Sequence, residues 1–289
     1  MAYVVTGATG GVGRFVAEEL SRRGAEPVRL IVRDADRAAQ IPGAEVVEAE
    51  WDDAAALEKA LREGDRVFMV SLPQSPDERT RLQGSFIDAA AKAGVERIVY
   101  LSFMLPSPTA IFHHARSHHT AEEALRASGV PWVFIRNGMY SDHLPGWFDE
   151  DGICRVPVGD GRISFSYRRE LAEAIAITMM EDGHLNKIYD VTGSEALTMD
   201  EIAECASSVS GDTYTYQPAS IDHWLGEYAK EDLNQDQITW RLSEFEAQER
   251  GELAVVSDDY RKLTGKDPLT VRQILERHVD DLPLSGRHD

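Results

Sequence analysis

The stretch Thr6-Gly7-Ala8-Thr9-Gly10-Gly11-Val12-Gly13 decides the fold of this chain. It is a G-x-x-G-x-x-G loop on Gly7, Gly10 and Gly13, set between the apolar run Tyr3–Thr6 and a helical pattern beginning at Arg14. Each glycine has a mechanical reason. Gly7 permits a tight turn, Gly10 lets the backbone approach a pyrophosphate, and Gly13 lets the helix pack against the strand. The helix N-terminus adds free N–H groups and a positive dipole end. Thr9, Gly11 and Val12 therefore join the three glycines as expected phosphate contacts. A glycine motif alone is weak evidence, but this one opens the first strand–turn–helix unit of the chain.

Outward from the loop, continuous apolar runs alternate with helical patterns. The runs are Tyr3–Thr6, Val28–Val32, Glu45–Glu48, 67–70, 98–102 and 132–136. They lack the in–out alternation of half-exposed strands, as expected for strands buried on both faces. Helical patterns fill 14–23, 54–62, 79–93 and 116–128, and Gly24, Gly64, Gly94 and Gly129 follow as C-terminal stops. The alternation predicts an α/β Rossmann fold, a doubly wound parallel sheet with right-handed crossovers, plus a smaller, mainly helical C-terminal part. Residues 137–167 read as loops, 168–182 as a helix and Lys187–Val191 as a strand. The chain from Leu197 reads as mainly helical with a strand at 214–217, and 280–289 as an unstructured polar tail. The expected division is a nucleotide domain over 1–136, completed by 168–191, and a substrate domain from 137–167 and 192–289.

The second run ends Val32-Arg33-Asp34. An acidic residue at this place grips the ribose of NAD, whereas an arginine accommodates the 2′-phosphate of NADP. Arg33 thus points to NADP(H), with Arg14 and Arg37 as expected helpers. The competing readings are Asp34 as a ribose ligand, or Arg33 merely paired with Asp34 or Asp36. Glu50-Trp51-Asp52 ends the third run, near the expected adenine. Ser71 and Ser102 fall at strand ends expected to face the same crevice.

The bulk numbers narrow the partners. The formal net charge is -20 over 289 residues, a field that repels nucleic acid and anionic membranes. The charge is uneven: residues 1–40 carry a net +1 and residues 200–289 a net -11. The least acidic stretch is the one expected to meet phosphates. No apolar run reaches the ~18 residues of a membrane span, and no leader pattern precedes the first strand. Cys154 and Cys205 are the only cysteines and lie far apart, which argues against a disulfide scaffold. The expectation is a cytoplasmic protein, monomer or homodimer, with a small-molecule partner, no nucleic acid and no membrane.

Further pieces sharpen the reading: His118-x-x-x-Glu122 running into Ser128-Gly129, Arg136-Asn137-Gly138-x-Tyr140, Gly159-x-Gly161-Arg162-Ile163 and Lys187-Ile188-Tyr189. With the glycine loop and Val32-Arg33, they make the chain resemble the NmrA-like atypical short-chain dehydrogenases, in particular their bacterial NADPH:quinone oxidoreductases. The resemblance covers nearly the whole chain. It implies a Rossmann domain, a small C-terminal domain and a nicotinamide in the cleft between them. The group also holds NADP redox sensors without turnover and reductases of secondary metabolites.

The Tyr-x-x-x-Lys pair of ordinary short-chain dehydrogenases is absent from the expected region. Counting back from Glu122, its Lys and Tyr places hold His118 and His114. A reduced quinone can take its proton from water, so a site that only aligns donor and flat acceptor suffices. His114, His118, Asn137 and Tyr140 are the expected catalytic residues. His118 pairing with Glu122 four residues on is the plainer reading of that side chain. Histidines 113, 114, 118 and 119 lack the partners of a zinc motif, so no metal is expected. Phe103, Tyr140, Trp147, Phe148, Phe165 and Tyr167 cluster in the segments expected to form the cleft, with packing the plainer role for Trp147 and Phe165. The expected activity is NADPH-dependent hydride transfer to a small planar acceptor, a quinone, with a redox sensor or a secondary-metabolite reductase as alternatives.

Overall fold

A computed structural model describes residues 1–227 and 233–284. The chain runs β1 (Tyr3–Thr6), α1 (Gly11–Arg22), β2 (Val28–Val32), β3 (Glu45–Glu48), α2 (Ala54–Ala60), β4 (Arg66–Met69), α3 (Pro76–Ala93), β5 (Arg97–Phe103), α4 (His113–Ala127) and β6 (Trp132–Asn137). It continues through β7 (Met139–Tyr140), β8 (Ile153–Cys154), β9 (Ile163–Ser166), α5 (Arg168–Met180), β10 (Lys187–Val191), β11 (Ala196–Leu197), α6 (Met199–Ser210) and β12 (Thr215–Tyr216). Four helices follow: α7 (Ile221–Glu227), α8 (Gln235–Glu249), α9 (Asp259–Thr264) and α10 (Val271–Arg277).

Seven strands form one sheet in the order β10-β6-β5-β4-β1-β2-β3, every pairing parallel. The seven residues of β5 are all buried, which is why that run carries no alternation. One face packs on α1 and α5 around Val16, Leu20, Leu171 and Ile175. The other packs on α2, α3 and α4 around Leu57, Phe86, Ile87 and Leu125. Strand order reverses between β1 and β4, and in such sheets ligands bind beyond the carboxyl ends of the strands at that switch. A third cluster joins Phe103 and Phe112 to Phe148, Phe165, Ile202, Trp224, Phe245 and Leu275. It fastens the C-terminal helices over the carboxyl ends of β5 and β6.

Two expectations fail here. The segment 137–167 holds three short strands, and Ile163–Ser166 is wholly buried. β9 pairs with β7 in parallel and with β11 in antiparallel fashion. Its four residues are too few to display a period, and its partners lie tens of residues away, so the signal is tertiary. The expected tail is ordered through Leu284. Leu282 is buried, and the Leu284 N–H donates to the Tyr214 hydroxyl at 2.9 Å; 285–289 lie outside the described residues. No helix among the described residues is long and apolar enough to cross a membrane.

Candidate active site

The glycine loop leaves β1 and turns at Gly7, whose φ of 68° lies in the left-handed region. A Cβ at Gly13 would lie 2.6 Å from the Thr6 carbonyl oxygen, so only glycine lets α1 start this close to the strand. Gly10 caps α1 in extended conformation with no side chain capping the helix. The N–H groups of the first turn therefore face a cavity of roughly 440 Å³, lined by Gly7, Thr9, Gly10, Gly11, Val12 and Gly13. Arg33, Glu50, Trp51 and Ser71 complete the lining.

These residues fit a dinucleotide phosphate carrier. Arg33 is exposed at the end of β2 and makes no ion pair among the described residues. The Asp34 carboxylate is occupied, accepting the Asp36 N–H at 3.1 Å, and does not line the cavity. The cation is thus free for a 2′-phosphate, while the acid that would grip a bare ribose is turned away. Arg14 does not help: it is tied to Glu18 at 2.8 Å on the outer face of α1. Arg37 does not line the cavity. Trp51 stacks on Phe86 at 4.5 Å and forms a fixed wall.

Ser102 is a correction. It is fully buried, donates to Glu122 Oε1 at 2.7 Å, and lines neither this cavity nor the next. Alternation along β5 turns its side chain toward α4. Glu122 also accepts from Arg136 at 2.7 and 2.9 Å and from Arg126 at 3.1 Å. Its oxygens are engaged on the strand side, so the expected His118–Glu122 pair does not form.

A second cavity, of roughly 900 Å³, opens beside the first. Both are lined by Val70, Ser71, Leu72, Pro73 and Tyr140. Phe103, Phe112, Trp147 and Trp240 give it an aromatic lining, and Asn137, His114 and His118 also reach it. Asn137 is buried, its amide donating to the Gly138 carbonyl at 2.5 Å. Phe148, Phe165 and Tyr167 do not line it. Phe148 packs on Tyr214 and Phe165 on Trp147 within the C-terminal core, while Tyr167 turns to His278. Burial pushes the Tyr140 phenol up to about 12, with Arg168 opposing and Asp142 assisting. It stays protonated at neutral pH and can donate to an oxygen in either cavity.

Two arginines escaped the sequence reading. Arg168, the first residue of α5, ion-pairs with the buried carboxylate of Asp142 and lines the cofactor cavity against Gly11. No local motif announces it, because β9 delivers it from far along the chain. Arg79 enters the sequence reading only as the first residue of the helical pattern over 79–93. α3 instead begins at Pro76, after Ser75 and with Asp77 and Glu78 in its first turn, and this places Arg79 facing inward. Ser75-Pro76-Asp77-Glu78 is a helix-start signature that could have located it.

Arg79 is only 2% exposed. Its guanidinium meets His114 Nδ1 at 2.5 Å, His118 Nε2 at 2.8 Å and the Ser71 hydroxyl. A guanidinium only donates, so both imidazoles must accept. The His114 proton then sits on Nε2. That of His118 sits on Nδ1, 2.9 Å from the Tyr100 hydroxyl. Burial, with Arg79 adding repulsion, lowers His114 to about 3 and His118 well below the ordinary range. Both rings are neutral at pH 7 and neither is a proton donor of the imidazolium kind.

The comparisons agree with this architecture. A profile for NAD(P)H-binding proteins matches residues 7–179. A (4-alkanoyl-5-oxo-2,5-dihydrofuran-3-yl)methyl phosphate reductase of Streptomyces griseus is 35% identical over 225 residues, 76% of this chain and 77% of that protein. Quinone oxidoreductase 2 of Escherichia coli is 33% identical over 75% of this chain and 77% of its own length. An NADPH-dependent quinone oxidoreductase of Escherichia coli, solved with NADPH, superposes with a TM-score of 0.87 at 29% identity, covering 96% of this chain and 100% of that one. With a Rossmann sheet, an uncapped glycine loop and a free cation at the end of β2, the chain belongs to the NAD(P)H-binding, NmrA-like oxidoreductases.

Proposed function

We propose that this oxidoreductase passes hydride from NADPH to a small planar acceptor whose carbonyl is conjugated through its ring, a quinone above all. The observation that carries the reading is the shared wall of Val70–Pro73 and Tyr140 between the two cavities. A cofactor held by the glycine loop and Arg33 would bring its nicotinamide end to that wall, against an aromatic-lined space of small-molecule size.

NADPH supplies the hydride; the chain supplies position. The first turn of α1 and Arg168 would hold the pyrophosphate, Arg33 the 2′-phosphate, and Glu50 and Trp51 the adenosine end. Phe103, Phe112 and Trp147 exclude water and keep a flat ring parallel to its donor. Tyr140 hydrogen-bonds the acceptor oxygen nearest the wall. Asn137 shapes the floor, with one amide N–H held by the Gly138 carbonyl. His114 and His118 act through Arg79.

A conjugated lactone is the second acceptor class, supported by the Streptomyces relative, which reduces a 5-oxo-2,5-dihydrofuran. Quinone and lactone share a planar ring whose oxygen turns anionic when hydride arrives. NADPH oxidation followed at 340 nm with benzoquinones, naphthoquinones, a butenolide and simple aliphatic ketones tests the proposal. Acceleration by quinones with little by the ketones is expected. No acceleration by any conjugated acceptor would refute it.

A further inference from the structure

Arg79 is a buried cation with no counter-ion. Among the described residues no carboxylate lies within ion-pair distance of it. Its partners are two neutral imidazoles and a hydroxyl, and its Nε is buried without any hydrogen-bond partner. It stands in the first turn of α3, where the helix dipole adds positive potential. The neighbouring acids, Asp77 and Glu78, are exposed and form no ion pair with it. Such an arrangement is costly, because a buried charge normally has a partner of opposite sign. Its compensation must arrive with a ligand. Arg79 lines the acceptor cavity and not the cofactor cavity, so the missing negative charge belongs to the acceptor.

We propose that Arg79 is the oxyanion-binding catalytic residue, stabilising the negative oxygen that forms when the conjugated acceptor takes hydride, with His114 and His118 as its positioning residues. The assignment rests on the reductase reading above. A quinone that gains two electrons and one proton as hydride becomes a hydroquinone monoanion, NADPH leaving as NADP⁺, and a proton from water completes the hydroquinone. A conjugated lactone would give an enolate in the same way. Either anion places full charge on an oxygen that was a neutral carbonyl in the ground state. A fixed cation therefore favours the transition state over the bound substrate. The imidazoles explain how a cation persists in an apolar wall. Each presents a lone pair to one Nη and is kept neutral by its burial, with the charge it accepts from adding to the effect.

The test uses the whole protein, wild type and Arg79→Met, with menadione as acceptor and 4-nitrophenol as an unreactive anion probe. Loss of one oxyanion donor predicts a fall in kcat on the order of 100-fold, with NADPH affinity essentially unchanged. At a pH below the ordinary pKa of 4-nitrophenol, wild type with NADP⁺ should bind the probe as the yellow phenolate, and Arg79→Met should not. Arg79→Met removes a buried charge that has no counter-ion but leaves the His114 and His118 acceptors without their donor, so its melting temperature is recorded beside its turnover. If it fails to fold, Arg79→Lys, which keeps the charge, should retain the phenolate band with a reduced kcat. Wild-type menadione reduction that Arg79→Met matches would overturn the assignment. So would a wild type that shows no phenolate band, or a variant that loses NADPH affinity instead of turnover. A wild type that binds the phenolate through Arg79 but reduces no conjugated acceptor would sink the proposed function and the catalytic role with it, and leave Arg79 as an anion-binding residue only.

Discussion

The two cavities that meet at Tyr140 are built on opposite plans. The cofactor side is mainly backbone: one glycine loop, the N–H groups of one helix turn, and a cation at the end of the adjacent strand. Its glycines fall within one seven-residue stretch, Gly7 to Gly13, and their role is to have no side chain. The acceptor side is made of side chains from α3, β5, α4, β6, β7, the segment that follows β7, and α8. The first should break when atoms are added and the second when atoms are removed.

The largest effect tests the backbone half. Gly13→Val would force a side chain against the Thr6 carbonyl. It should cost about 1–3 kcal/mol of stability, as overpacking does, and abolish NADPH binding in a fluorescence titration. Gly10→Ala sharpens the point. Its Cβ would meet nothing closer than the Gly7 carbonyl oxygen at 3.8 Å, so stability should change by only about 1 kcal/mol, yet NADPH affinity should still fall. Equal affinities for wild type and Gly10→Ala would show that no phosphate approaches that position.

Next in size is the choice of cofactor. Among the described residues Arg33 faces no carboxylate partner, so Arg33→Ser should leave melting unchanged and erase a preference for NADPH over NADH of about tenfold or more. That figure corresponds to a charge-assisted hydrogen bond of about 1.5–3 kcal/mol. Wild-type affinities for the two cofactors that match within error would count against Arg33.

A smaller loss is expected from Tyr140→Phe, which keeps the wall and removes the donor. Turnover of menadione should drop roughly tenfold, the worth of a hydrogen bond near 1.4 kcal/mol, with NADPH affinity preserved. Tyr140→Ala is the less clean variant because the ring lines both cavities.

The smallest effect concerns pH. His114 is lowered in the fold to about 3 from an ordinary 6.5, and His118 moves the same way. At these two sites the unfolded chain binds more protons below pH 6.5, so their contribution to folding stability falls as pH drops from there toward 3, while Glu170, raised by burial to about 7, works in the opposite direction. Melting temperature measured from pH 7 to pH 4.5 should therefore hold up better in His114→Asn than in wild type, relative to each protein's value at pH 7. Turnover between pH 6 and 9 should be nearly level, since neither the histidines nor the Tyr140 phenol titrates there.

How legible each half was follows from the same contrast. The glycine loop, Arg33 and the run at Lys187–Val191 carry local patterns, and the structure puts the first two on one cavity and the third on the edge of the sheet. Ser102 was misread because strand-end position does not reveal which face a side chain takes when both faces are buried. Arg79 was missed because a charged residue near a helix start has the composition of a solvated surface. Only α4 packing against α3 makes it interior. Ile163–Ser166 escaped because a four-residue strand borrows its stability from partners found by folding.

The sequence by itself determined the doubly wound sheet, the glycine loop and the arginine at the end of β2, because backbone conformation and strand placement are written in contiguous residues. Only the tertiary structure decided that Arg79, His114, His118 and Ser71 meet in one wall, that Arg168 reaches the glycine loop, and that Tyr140 stands between the two cavities. Those side chains come from elements far apart in the chain. Their charges and protonation states are set by a burial that no local stretch can specify.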